Sequence, residues 1–233
     1  KTFNYCRARF SNKLLTNYIN FKRITIMMLS HNRVRVFRLI LLTICLIQKT
    51  TVFAQIPVLG SCPNLDVVQN FDIDRYLGLW YEAEKYPFLF ELAGKCITAN
   101  YEKTEDEGFY SVYNKQISRI TGHETGIRGS AISEKVNDTS AKLLVEFPSL
   151  PVRIHSPYWV LGTDYTSYAV VFSCTDFGGL VSGRMLWILT REQNPSVETL
   201  EKAYSILDKT KLSKAYLMRT DQTNCDYNST SIN

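Results

Sequence analysis

The sequence predicts an all-β fold: an eight-stranded antiparallel up-and-down β-barrel with one C-terminal α-helix packed outside it. Two observations carry this. Between Leu77 and Thr190 the chain breaks into eight short strand-like segments separated by turn residues, and a single amphipathic stretch follows the last of them. Eight sequential antiparallel strands hide their edges by closing on themselves, and at that number they leave room for one small ligand. An immunoglobulin-like sandwich is the alternative, but the barrel is the arrangement that expects a helix after its last strand.

The first segment runs from Leu79 to Tyr86. Ile97-Thr98-Ala99-Asn100-Tyr101-Glu102 then alternates apolar and polar, the period of a strand with one wet face. Glu105-Asp106-Glu107-Gly108 makes a charged turn into Phe109–Ile117. Gly122 separates that segment from His123–Ser133, and Asn137-Asp138 marks the next turn. Leu143, Val145 and Phe147 alternate with Leu144 and Glu146; Tyr158–Thr163, Tyr168–Cys174 and Arg184–Thr190 complete the set, with Gly178-Gly179 between the last two. The helix is expected over 195–209. Asn194 is placed to cap it, Pro195 to open it, and Val197, Leu200, Tyr204 and Leu207 to form its apolar stripe.

The first 54 residues are expected to lie outside this fold. Residues 1–26 read as upstream sequence not normally translated, or as an extension. Residues 27–54 read as a signal peptide: Arg33, Arg35 and Arg38 lead into an apolar run over 39–47, and Val52-Phe53-Ala54 suits cleavage before Gln55. The run is about half the length a spanning helix needs. This division reverses the charge. Ten of the 27 Lys/Arg and none of the 22 acids fall in 1–54, so residues 55–233 hold 17 bases against 22 acids, a net charge of −5. Neither nucleic acid nor an anionic surface is then the expected partner. Four cysteines remain in this part, Cys62, Cys96, Cys174 and Cys225, and an even count in a secreted chain reads as two disulfides of open connectivity. Asn137-Asp138-Thr139 and Asn228-Ser229-Thr230 are glycosylation sequons that fit the same route.

Three short regions carry more than composition does. Gly78-Leu79-Trp80-Tyr81 opens the first strand within the run 70–87; Thr163-Asp164-Tyr165 and Trp187-Ile188-Leu189-Thr190-Arg191 follow in order. Together they resemble the three signature regions of the lipocalins, and the flanking residues resemble the apolipoprotein D-like branch, which includes insect Lazarillo and bilin-binding types. The resemblance implies disulfides Cys62–Cys174 and Cys96–Cys225. It implies that Trp80 lies across the closed end with Arg191 stacked on it, and that Asp164 satisfies backbone amides in a turn at that end. These are architectural roles, with no catalytic residue among them.

The functional site is expected in the barrel interior. By alternation Ile97, Ala99 and Tyr101 point one way, and Met185, Trp187 and Leu189 share a face; Tyr101, Asn114 and Trp187 align with cavity-lining positions of that branch. Aromatic walls with one or two polar groups suit a flat, mostly apolar ligand. Phe88-Leu89-Phe90 and Phe147-Pro148-Ser149-Leu150 are expected at the open mouth, as a lid or as a contact for a lipoprotein or membrane surface. His123 and His155 bear no mark of haem ligands, and no metal-type cysteine spacing occurs. The leading expectation is a secreted, extracellular carrier of a fatty acid, sterol, retinoid, pigment such as biliverdin, or pheromone-like lipid, with no cofactor beyond such a bound molecule. An adhesion or defence protein on the same scaffold is the alternative, and a lipid-modifying enzyme using a cavity thiol a lesser one.

Overall fold

In the computed structural model, which describes residues 55–87, 93–135, 138–149 and 155–227, eight strands pair in the order they follow in the chain. Strand β1 (Ile56–Leu59) and helix α1 (Ile73–Tyr76) precede β2 (Gly78–Lys85), β3 (Gly94–Lys103), β4 (Phe109–Ser118) and β5 (Glu124–Ser133). Then come β6 (Lys142–Glu146), β7 (Ser156–Thr163), β8 (Tyr168–Phe177) and β9 (Val181–Thr190), helix α2 (Val197–Thr210) and β10 (Met218–Arg219). Strands β2 to β9 pair in antiparallel order, and β9 returns to β2, so the eight-stranded barrel closes. β1 lies beside β9, and β10 beside β2.

The two added strands are the parts alternation did not reveal, because four residues and two residues are too short to show a period. β10 has a structural use. β2 and β3 pair only over Gly78–Tyr81 against Tyr101–Thr98, and above that point the C-terminal segment wedges between them. Thr220 N–H donates to Ala83 O, Cys96 N–H donates to Asp221 O, and the Gln222 amide donates to both Glu82 O and Ile97 O. The Cys96–Cys225 disulfide pins this wedge to β3. Thr98, expected on the wet face of its strand, is buried at this seam.

Helix α2 starts two residues later than expected. Ser196, not Asn194, is its cap: its hydroxyl accepts from Thr199 N–H at 3.2 Å, and Pro195 stands just outside. Val197 is therefore exposed, and the buried stripe runs through Leu200, Ala203, Tyr204 and Leu207. Ile206 sits over Gly162 of β7, and Tyr204 O–H donates to Glu84 Oε1 of β2 at 2.8 Å. The helix thus covers the outer wall, on the face that carries Glu84, Val170 and Ile188 in register. The opposite face of the same strands, which holds Trp80, is the inside.

Candidate functional site

The closed end is built from the segment before β2. Val68 N–H donates to Val160 O and Phe71 N–H to Thr139 O, which draws residues 67–76 across the barrel's base. Phe71, Tyr76 and Trp80 stack there, with ring centroids 5.1 Å apart at each step. Trp80 is fully buried, and its indole N–H donates to Tyr76 O at 2.8 Å. The Arg191 guanidinium lies 3.7 Å from the Trp80 ring centroid. Its nitrogens donate to the carbonyls of Arg75, Tyr76, Leu77, Leu79 and Tyr165. Gly78 has φ +92, and a Cβ there would stand 3.4 Å from Arg191 Nη1, so glycine suits both the left-handed backbone and the arginine's approach.

Asp164 organises the neighbouring turn. Its Oδ1 accepts from the amides of Thr166, Ser167 and Tyr168, and its other oxygen from the Ser167 hydroxyl. Burial raises its pKa, but the hydrogen bonds from Ser167, Tyr168 and Thr166 outweigh that and leave it below the ordinary carboxylate value.

Above this floor, register fixes the inner wall. Trp80 stands opposite Ala99, Ala99 opposite Asn114, and Asn114 opposite Ile127. Across the closure Glu82 faces Leu189, and Met185, Trp187 and Leu189 stand opposite Ser173, Val171 and Ala169. Side chains directly opposite one another in an antiparallel pair share a face. All six residues expected in the pocket (Ala99, Tyr101, Asn114, Met185, Trp187, Leu189) therefore lie on the face of Trp80.

Three inner tyrosines form a chain that the sequence did not announce. Tyr101 O–H donates to the Tyr158 hydroxyl at 2.7 Å, and Tyr76 and Tyr158 share a bond of 2.8 Å. Burial first, and mutual repulsion second, push Tyr76 and Tyr158 up; burial does the same for Tyr101, so all three stay protonated and can donate. Gln116, two residues beyond Asn114, and Ser173 are further polar side chains of this wall that alternation could have found. The Phe147 side chain packs against the core beside Gly129, whereas Phe88–Phe90, Leu150, Asn137 and Asn228 lie outside the described residues. A groove of about 370 Å³ also opens on the outer wall between Glu84, Pro195 and Arg219, away from the expected pocket residues. Glu84 and Gln193 at its edge already have partners in Tyr204 and Gln222 O.

Residues 77–224 match the model of the lipocalin / cytosolic fatty-acid binding protein family. The chain belongs to this family. Among relatives of this lipocalin, apolipoprotein D of Mus musculus is 41% identical over 72% of the chain and 85% of that protein. Lazarillo protein of Schistocerca americana is 30% identical over 70% of this chain and 75% of its own length. The solved structure of insecticyanin from the tobacco hornworm Manduca sexta superposes with a TM-score of 0.63 at 27% identity, covering 72% of this lipocalin and 89% of that chain. The disulfides Cys62–Cys174 and Cys96–Cys225 are the pairs the resemblance implies.

Proposed function

We propose that this lipocalin is a secreted carrier that holds one small hydrophobic molecule in its barrel and does not transform it. The observation that carries this is the inner wall: Ala99, Asn114, Met185, Trp187 and Leu189 share one inner face, and Tyr101, on the same face, stands in register with Gly78 at the sealed floor. On this reading Trp187 and Tyr101 are flat contacts for the ligand, and Asn114 meets its polar group. A ligand burying about 300 Å² of apolar surface gains roughly 7 kcal/mol before ordering costs, enough for affinity of about micromolar once a few polar contacts are added. Fatty acids, sterols, retinoids, pigments such as biliverdin and pheromone-like lipids fit that description. A thiol-based isomerase reading lacks its nucleophile, since Cys62, Cys96, Cys174 and Cys225 are all in disulfides.

Secretion is supported by the leader-like residues 27–54 and by those disulfides, which need an oxidising compartment. Glycans at Asn137 and Asn228 belong to the same proposal. The carrier reading is tested by titrating the delipidated protein with retinol or a fluorescent fatty acid. Saturable binding, displaceable by an unlabelled lipid, is expected; its absence for both probes would overturn the reading.

The rim of the open end favours a second element of this function, contact with a lipid surface. Leu59 (87% exposed), Leu180 (78%) and Ile120 (83%) sit at connections on the end opposite Trp80, beside the half-exposed Phe177. We propose that this rim, with the adjoining mouth loops, touches a membrane or lipoprotein while ligand passes. Leu59→Asp combined with Leu180→Asp should abolish co-flotation with phosphatidylcholine vesicles while leaving retinol affinity intact. Unchanged flotation would refute the contact.

A further inference from the structure

Three polar atoms of the inner wall are shielded from water and have no hydrogen-bond partner among the described residues: Asn114 Oδ1, Gln116 Oε1 and Ser173 Oγ. Their placement is coherent. Gln116 follows Asn114 on the same face of β4, and Ser173, itself 1% exposed, stands opposite Met185 on the inner face of β8. Buried polar groups are almost always paired, so three together on the wall of one compartment call for a common cause.

The rest of the wall narrows what could pair with them. The three tyrosine hydroxyls make two hydrogen bonds, which leaves one O–H hydrogen to donate. Among the described residues, the charged pair on this face is already matched. Lys85 and Glu82, both on the inner face of β2, are 6% and 3% exposed and meet at 2.9 Å. Thr220 O–H also donates to the Glu82 carboxylate. An ionised group brought inside would be a buried charge with no counter-charge of its own, and a carboxylate has no hydrogen to donate to the unpaired amide oxygens of Asn114 and Gln116.

We infer that the barrel selects ligands whose inserted portion is neutral and carries an N–H or O–H donor, with any carboxylate held at the mouth. The donor meets the acceptors of Asn114, Gln116 and Ser173, and a carbonyl or ether oxygen elsewhere on the ligand accepts the spare tyrosine hydrogen. The inference rests on the carrier reading and goes further by naming the ligand's polar chemistry.

Matched ligands separate the two. Retinol, retinyl methyl ether and retinoate share one apolar body and differ in donor and charge; palmityl alcohol, its methyl ether and palmitate form a second series. Affinities are measured at pH 8 on the delipidated protein. The alcohol of each series should bind about tenfold tighter than its ether and its carboxylate, the difference one hydrogen bond makes. Ser173→Ala with Gln116→Leu should lower the alcohol-to-ether ratio by weakening the alcohol more than the ether, with Asn114 left as the remaining acceptor; a purely structural role would weaken every ligand alike and leave the ratio unchanged. An ether or carboxylate as tight as its alcohol in wild-type protein overturns the inference and spares the carrier reading. Failure of every member of both series to bind overturns the carrier reading, and this inference with it.

Discussion

Arg191 joins elements that lie far apart in sequence. Its guanidinium covers the Trp80 ring and ties β9 to the carbonyls of residues 75–79 and to Tyr165. Truncating it leaves several carbonyls unpaired and removes a cation–π contact, so Arg191→Ala should cost about 3 kcal/mol in chemical denaturation. Arg191→Lys should recover little of this, because an ammonium cannot fork to carbonyls on two sides. Asp164 gives the floor a pH dependence. Its folded pKa is depressed, so its stabilisation is complete above about pH 4 and is lost as pH falls through the folded value. Asp164→Asn should flatten that acid limb in urea melts taken from pH 6 downward. Trp80, Arg191 and Asp164 were legible in the sequence because the regions that hold them resemble the lipocalin signatures, which implies their places at the closed end. The tyrosine chain was not. Alternation tells which way Tyr101 and Tyr158 face, but not that two hydroxyls separated by 57 residues meet. Tyr158→Phe should cost about 1–3 kcal/mol, since it leaves the buried Tyr76 and Tyr101 hydroxyls without their shared partner.

The helix and the C-terminal segment show where local sequence rules reach their limit. Asn194, Pro195 and Ser196 offer two plausible caps, and tertiary packing chooses Ser196 by aligning Ala203 and Leu207 with the outer wall. Ser196→Ala should therefore destabilise by about 1 kcal/mol, and Asn194→Ala by well under half that, in matched thermal melts. The wedge of residues 218–222 was invisible because its hydrogen bonds go to β2 and β3, more than a hundred positions earlier. Its disulfide closes a loop of 129 residues, so Cys96→Ser with Cys225→Ser should cost about 2–5 kcal/mol. Amide hydrogen exchange should show the loss concentrated at Ala83–Lys85 and Cys96–Thr98, where the wedge completes the wall.

For the whole molecule, period-two patterning sufficed for the barrel because each strand pairs with its neighbour and one face must be apolar. The same patterning grouped Ala99 with Tyr101 and Met185 with Trp187 and Leu189, and the resemblance added Asn114, yet neither could tell which polar atoms of the inner wall would lack partners. The central claim is that the ligand lies inside that wall, and the three tryptophans can test it directly. Trp187 is on the inner wall, Trp80 lies under Arg191 at the floor, and Trp159, in register with Phe172, is on the outer face. Tryptophan fluorescence should be read during retinol titration of wild-type protein and of Trp187→Phe. If the ligand occupies the barrel, most of the quenching disappears in the variant while displacement still reports a bound molecule. Quenching of equal depth in both proteins would place the ligand elsewhere and contradict the account.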